Sequence, residues 1–186
     1  MVSIEKDVEK ILISKEDIAA KVKEMAREMD AFYGDKEVVL VCILKGSVTF
    51  FADLAKELSF PVMYDFMRVS SYGNGSVSGG NVKILQDLSV DIAGKHVLVV
   101  EDILDTGNTL SALFAQLSAR NPASLKLCAF LDKPDRRIKP IQADFKGFSI
   151  PDEFVIGYGL DYAERYRQLP YVGVLKRSVY EHEKNE

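Results

Sequence analysis

The sequence predicts an α/β protein with a mostly parallel central sheet flanked by helices. Near-continuous apolar runs rich in β-branched residues, Val38–Leu44 and Val97–Val100, are what strands covered on both faces require. Segments with apolar residues at helical spacing follow these runs. Strands alternating with helices imply right-handed crossovers, which place helices on both faces of the sheet.

From the N-terminus, Ile11, Leu12 and Ile13 precede Ser14, which forms a capping-box-like helix start with Asp17. Ile18, Val22, Met25, Met29 and Phe32 then recur at helical spacing as far as Gly34, predicting an amphipathic first helix with these five on its apolar face. Val38–Leu44 is the first buried strand, and a second helix is expected from about Ser47 to Leu58. Val62–Val69 alternates as a strand. Ser70–Gly80 holds four glycines and four serines in eleven residues, too polar and flexible to pack, and is expected to be a mobile loop. Val97–Val100 is followed by a short polar turn and a helix carrying Leu110, Leu113, Phe114 and Leu117. Leu125–Leu131 and Phe154–Ile156 look like further strands, Val172–Leu175 like a short late one, and Glu181–Glu186 like a frayed charged tail. No repeat or linker interrupts the pattern, so residues 1–186 are expected to form a single domain.

With 47% hydrophobic and 28% charged residues, the chain can bury a substantial core. A net charge of −4 offers no electrostatic attraction to a polyanion, so no nucleic-acid partner is expected. Cys42 and Cys128 each lie in an apolar run, the setting of buried free thiols in a reducing compartment. Met1–Lys10 carries five charges, and no stretch approaches the roughly 18 apolar residues of a membrane helix. A cytoplasmic protein without a membrane partner is the expectation. His96 and His182 lack metal-ligand spacing.

In such a sheet ligands bind beyond the carboxyl ends of the strands. There the sequence places Val97–Val100, then Glu101, Asp102 and Asp105, then Thr106-Gly107-Asn108-Thr109 opening a helix. A turn of this kind aims backbone N–H groups and hydroxyls at one point, and the helix N-terminus adds positive potential, which makes a cradle for a phosphate. The Gly-x-x-x-x-Gly-Lys-Ser/Thr spacing of nucleoside triphosphatases is absent. Carboxylates beside a phosphate need another partner, such as sugar hydroxyls or a cation. A phosphorylated sugar meets both requirements.

Val99–Gly107 is similar to the phosphoribosyl-pyrophosphate signature of the type I phosphoribosyltransferases, and further stretches between Val38 and Val174 narrow the resemblance to the hypoxanthine-guanine phosphoribosyltransferases. It implies the family's fold, with a small hood built from the terminal segments and a mobile lid loop. It implies transfer of a 5-phosphoribosyl group from phosphoribosyl pyrophosphate to N9 of a 6-oxopurine, with Mg²⁺ as cofactor and a homodimer or homotetramer as the assembly. Glu101, Asp102, Asp105, Thr106, Gly107, Asn108 and Thr109 would bind the phosphoribosyl group, with no specificity attached to Asn108. Asp105 would be the general base that accepts the proton from N7.

Leu44-Lys45-Gly46-Ser47 resembles the pyrophosphate loop, with Lys45 and Gly46 facing the leaving group and a strained or cis peptide before Lys45; taken alone, it equally suits a helix start with a solvated lysine. Ser71 and Tyr72 resemble the lid that keeps water from a cationic ribosyl centre. Lys133 would hydrogen-bond the oxygen at C6 of the purine. Pro151–Tyr162 matches the purine-binding strand and metal loop: Phe154 would stack on the base, main-chain groups at Val155 would read its Watson–Crick edge, and Asp161 would help hold Mg²⁺ together with Glu101 and Asp102. By itself Phe154 would be taken for a core residue. Arg167 resembles the family's pyrophosphate-contacting arginine. Two other readings stay open: a xanthine-preferring enzyme, and a non-catalytic nucleotide-sensing regulator on the same fold.

Overall fold

A computed structural model describes residues 4–71 and 82–181. Its main sheet comprises β2 (Val38–Leu44), β3 (Val62–Ser71), β4 (Val82–Gln86), β5 (His96–Leu104), β6 (Ser124–Asp132) and β7 (Phe145–Ser149). Their order is β4-β3-β2-β5-β6-β7, and every neighbouring pair is parallel except the antiparallel β3–β4 edge. Period-two alternation sends successive side chains to opposite faces. Val38, Leu40 and Cys42 join a core with Leu98, Val100, Cys128 and Phe130, while Val39, Val41 and Ile43 join a second with Val97, Val99, Leu127 and Ala129. Residues of α1 (Lys15–Tyr33) and α2 (Val48–Glu57) complete the first core, and those of α3 (Asn108–Ser118) the second. Both faces are therefore dry, which is why β2 carries no polar residue. Cys42 and Cys128 are free and buried, and burial pushes the Cys42 thiol up to about 12, so neither is a nucleophile.

Ser14 caps α1 as expected, its Oγ accepting from the Asp17 N–H at 3.1 Å. Phe32 departs from the expectation: it is 48% exposed, and Tyr33 is buried in its place. The stripe Val22–Met25–Met29 continues to i+4 at Tyr33, whose ring lies 5.0 Å from that of Phe60.

Phe154–Ile156 and Val172–Leu175 do not extend the parallel sheet. Val155–Ile156 (β8) and Val172–Leu175 (β9) pair antiparallel with each other and with the N-terminal β1 (Val8–Ile13), giving a separate sheet of order β1-β9-β8 built from the terminal segments. This is the expected hood, followed by the short helix α4 (Arg177–Tyr180). Three strands escaped the sequence reading. In β1 only Ile13 is buried, β4 is a five-residue edge, and β7 contains Lys146 and Gly147. An edge or one-sided strand lacks the continuous apolar run that marks a central one. β3 runs on to Ser71, two residues into the expected loop; Tyr72 and the rest of the lid, like residues 182–186 of the charged tail, lie outside the described residues.

Candidate active site

β5 continues past Val100 through Glu101 and Asp102 to Leu104, so both acids belong to the strand rather than to the turn after it. Asp105–Gly107 then turns the chain into α3, with Gly107 at φ 79° as N-cap. Only glycine suits that position, since a Cβ would also lie 2.6 Å from Ile141 Cγ2. Among the described residues the N–H groups of Thr106, Gly107 and Thr109 meet no protein acceptor, and all three residues line a cavity of about 320 Å³. Free N–H groups at a helix N-terminus facing a cavity make an anion site.

The opposite wall is the end of β2. The Leu44–Lys45 peptide is cis, as the resemblance implied, and Ser47 is buried, its Oγ accepting from the Asp102 N–H at 3.0 Å. A Cβ on Gly46 would lie 1.6 Å from Asp102 Oδ2, so that carboxylate packs directly on the glycine. The segment after β8 packs against this wall: a Cβ on Gly159 would lie 2.0 Å from the Gly46 carbonyl oxygen. Lys45, Gly46, Glu101, Asp102, Asp105, Thr106, Gly107, Thr109, Asp161 and Arg167 all line this one space.

Its electrostatics are divided. Glu101 Oε2 is buried without a hydrogen-bond partner among the described residues. Burial, and then the neighbouring Asp102, push the Glu101 carboxyl well above the ordinary range. Burial also pushes Asp102 up to about 6, opposed by the Ile103 N–H that its Oδ1 accepts at 2.7 Å. Across the cavity the Arg167 guanidinium donates to Gly159 O at 2.8 Å and pairs with Asp161 Oδ1 at 2.9 Å. Glu164 bridges the two cations expected to meet pyrophosphate, 3.0 Å from Lys45 Nζ and 3.3 Å from Arg167 Nη2. Asp105 pairs with Arg136 at 2.8 Å, and Arg136 reaches Asp152 at 3.3 Å.

No group of three or more His, Cys, Asp or Glu side chains forms a metal cage among the described residues. The buried, unpartnered Glu101 oxygen and the adjacent Asp102 instead suit a Mg²⁺ that shares one or two carboxylates with phosphate oxygens brought by a ligand.

Lys133, Phe154 and Val155 do not line the cavity but form a neighbouring group, and Asn108, exposed at the start of α3, is likewise outside the lining. Lys133 is buried, with Nζ donating to Glu153 O at 2.6 Å, which ties the end of β6 to the start of β8. Phe154 is no core residue: it is 40% exposed, stacked on Tyr180 at 5.1 Å and edge-on to Tyr162 at 5.6 Å. Val155 lies on the edge strand of the hood with its side chain buried. Sequence reasoning missed Glu164, Arg136 and Arg137, and gave Ser47 no role beyond its place in the pyrophosphate-loop motif, because each acts on a residue distant in sequence or has a chemically ordinary local setting; the adjacent arginines just past Lys133-Pro134 were the one available signal.

Residues 8–163 match the family described as the phosphoribosyl transferase domain. The chain is 51% identical over 175 residues to the hypoxanthine-guanine phosphoribosyltransferase of Bacillus subtilis (strain 168), covering 94% of this chain and 97% of that one. It is 48% identical over 177 residues to the enzyme of the same name from Streptococcus thermophilus (strain CNRZ 1066), covering 95% and 98%. Among solved structures, a hypoxanthine phosphoribosyltransferase from Staphylococcus aureus superposes with a TM-score of 0.92 at 46% identity, covering 97% of this chain and 98% of that one.

Proposed function

From its place in the phosphoribosyl transferase family, to which the chain belongs, we infer that this protein is an enzyme of purine salvage. It transfers the 5-phosphoribosyl group of phosphoribosyl pyrophosphate to N9 of hypoxanthine or guanine, giving IMP or GMP and pyrophosphate. One observation carries the reading at the level of the site: a single cavity gathers an anion-binding turn, two half-buried acids and two cations. A sugar bearing phosphates at both ends requires those three things together. Residues 1–186 are taken to act as one catalytic domain.

The turn Asp105–Thr109 holds the 5-phosphate on free N–H groups and hydroxyls. Glu101 and Asp102 face the ribose diol, while Lys45, the Gly46 backbone and Arg167 take the pyrophosphate, displacing Glu164. Asp161, Glu101 and Asp102 would hold Mg²⁺, which would supply neutralisation of leaving-group charge. Asp105 accepts the proton from N7 as the base attacks, and for that its pair with Arg136 must open. Lys133 donates to the oxygen at C6, preferring an oxo to an amino group, and Phe154 offers its open face to the ring. Val155, on a hood edge, has backbone groups available for the Watson–Crick edge. Closure by the lid at Ser71 and Tyr72 excludes water from the cationic centre.

A cytoplasmic homodimer or homotetramer completes the reading. Two reduced, buried cysteines support the compartment, and no described helix is long and apolar enough to cross a membrane. An exposed aromatic ledge on β3, formed by Tyr64 and Phe66 beside Phe51 of α2, supports the assembly. The test is an assay of the purified protein with Mg²⁺ and phosphoribosyl pyrophosphate against hypoxanthine, guanine, xanthine, adenine and uracil in parallel. Turnover of hypoxanthine or guanine well above adenine and uracil is expected. Xanthine preference or no turnover would select the alternative enzyme or the nucleotide sensor.

A further inference from the structure

The carbonyl groups of Leu104, Asp105 and Thr106 are held by partners in the loop after β6. Leu104 O accepts from the Lys133 N–H at 3.0 Å, and Thr106 O from the Ile138 and Lys139 N–H groups at 2.9 and 3.1 Å. Arg137 supplies the rest. Its Nε donates to Asp105 O at 2.8 Å and its Nη2 to Leu104 O at 3.0 Å, while Nη1 donates to Ile141 O at 2.6 Å and Nη2 also meets Asp132 Oδ1. A Cβ on Gly107 would come within 3.2 Å of Arg137 Cδ, so the side chain's stem also packs under the turn. The guanidinium is largely buried, and its planar fork is matched to three carbonyls and a carboxylate.

A peptide unit whose oxygen is pinned on one side presents its N–H on the other. The carbonyls of Asp105 and Thr106 belong to the peptide units whose N–H groups are those of Thr106 and Gly107, two of the free donors that line the cavity. Resting on the functional reading above, we propose that Arg137 is a positioning residue of the 5-phosphate subsite: by fixing the Leu104 and Asp105 carbonyls it orients the Thr106 N–H toward the ligand, beside the Gly107 N–H set by the Ile138 and Lys139 contacts, without touching the ligand itself. Lysine cannot replace it, since a single ammonium on a flexible stem cannot span Asp105 O, Leu104 O, Ile141 O and Asp132 together.

The test compares Arg137→Lys, which keeps a cation beside Asp132, with Asp132→Asn, which removes the charge partner and leaves the carbonyl contacts in place. Binding of IMP and inhibition by pyrophosphate, which engages the Lys45 and Arg167 side of the cavity, are measured for both and for the unaltered protein. Arg137→Lys should weaken IMP by roughly 10–100-fold, as expected for losing charged hydrogen bonds that order a donor set, with pyrophosphate inhibition changed less than about threefold. Asp132→Asn should lower the melting temperature while leaving the IMP-to-pyrophosphate ratio near that of the unaltered protein. Equal losses for both ligands in Arg137→Lys, or no loss for IMP, would overturn the inference. Failure of the unaltered protein to bind IMP would instead overturn the functional reading on which it rests.

Discussion

Around Glu101 and Asp102 the protein half-buries two carboxyl groups, whereas around Phe154 it leaves an aromatic ring 40% exposed. The first region lies at the carboxyl end of the parallel sheet, packed tightly at Gly46 and Gly107, and its N–H donors line one cavity. The second hangs on the edge of a three-stranded sheet and is tied to the main sheet through the contact of Lys133 with Glu153 O. Charge recognition needs preorganised groups in a dry setting, which costs the empty protein stability. A flat base needs a platform and a few donors, and these can stand at the surface. On the proposed function, the phosphoribosyl half is the more enclosed of the two and the purine half the more open.

Asp105 tests the comparison most severely, because it lines the first region and, on the proposed function, would act on a base held by the second. Asp105→Asn should reduce kcat by about 10²–10⁴-fold, the usual contribution of a general base. Steady-state turnover close to that of the unaltered enzyme would remove Asp105 from that role. Lys133→Ala should raise the KM for hypoxanthine by about 10–100-fold, the worth of a hydrogen bond to a charged group, and leave the KM for phosphoribosyl pyrophosphate nearly unchanged. Equal increases in both would mean that the two halves are not separable.

A third test reads the cost of buried charge directly. Burial raises the Asp102 carboxyl from its ordinary 3.8 to about 6, so the folded protein binds more protons than the unfolded one between those values. Stability of the ligand-free protein must therefore fall as pH rises from about 4 to about 6, and the cost persists above that window. Asp102→Asn should recover on the order of 2 kcal/mol at pH 7, after discounting for partial solvent access. A melting temperature that is no higher in the variant at pH 7, or that gains equally at pH 4, would contradict this account. The smallest effect is expected at the open platform: Phe154→Ala should weaken base binding by about 0.5–1.5 kcal/mol without changing the melting temperature appreciably. A large loss of stability would mean that Phe154 serves the hood rather than the base.

Much of the first region was legible in the sequence because its signals are local. A buried strand running into acids, then Asp105-Thr106-Gly107 and a helix, is a contiguous statement of chemistry, and cavity-lining residues from Glu101 to Thr109 follow from it. Less of the second was legible. Phe154 beside Val155 and Ile156 has the local pattern of a core strand, and only the placement of β8 on a sheet edge, beside Tyr180, shows that its ring stands in the open. Phe32 was misplaced for a related reason, since helical spacing admits both i+3 and i+4 after Met29 and the packing of Tyr33 decided between them.

What the sequence determined alone was periodicity and turn chemistry: β2 buried on both faces, Ser14 as a cap, and a strand running through acids into a glycine turn and a helix. These depend on the geometry of neighbouring residues along one chain. Tertiary structure decided what depends on distant approach: the β1-β9-β8 pairing that builds the hood the resemblance implied, Gly159 against Gly46, and Arg137 reaching 32 residues back to Asp105. Such contacts have no local signature, because their strength comes from excluding water between segments that only the fold brings together.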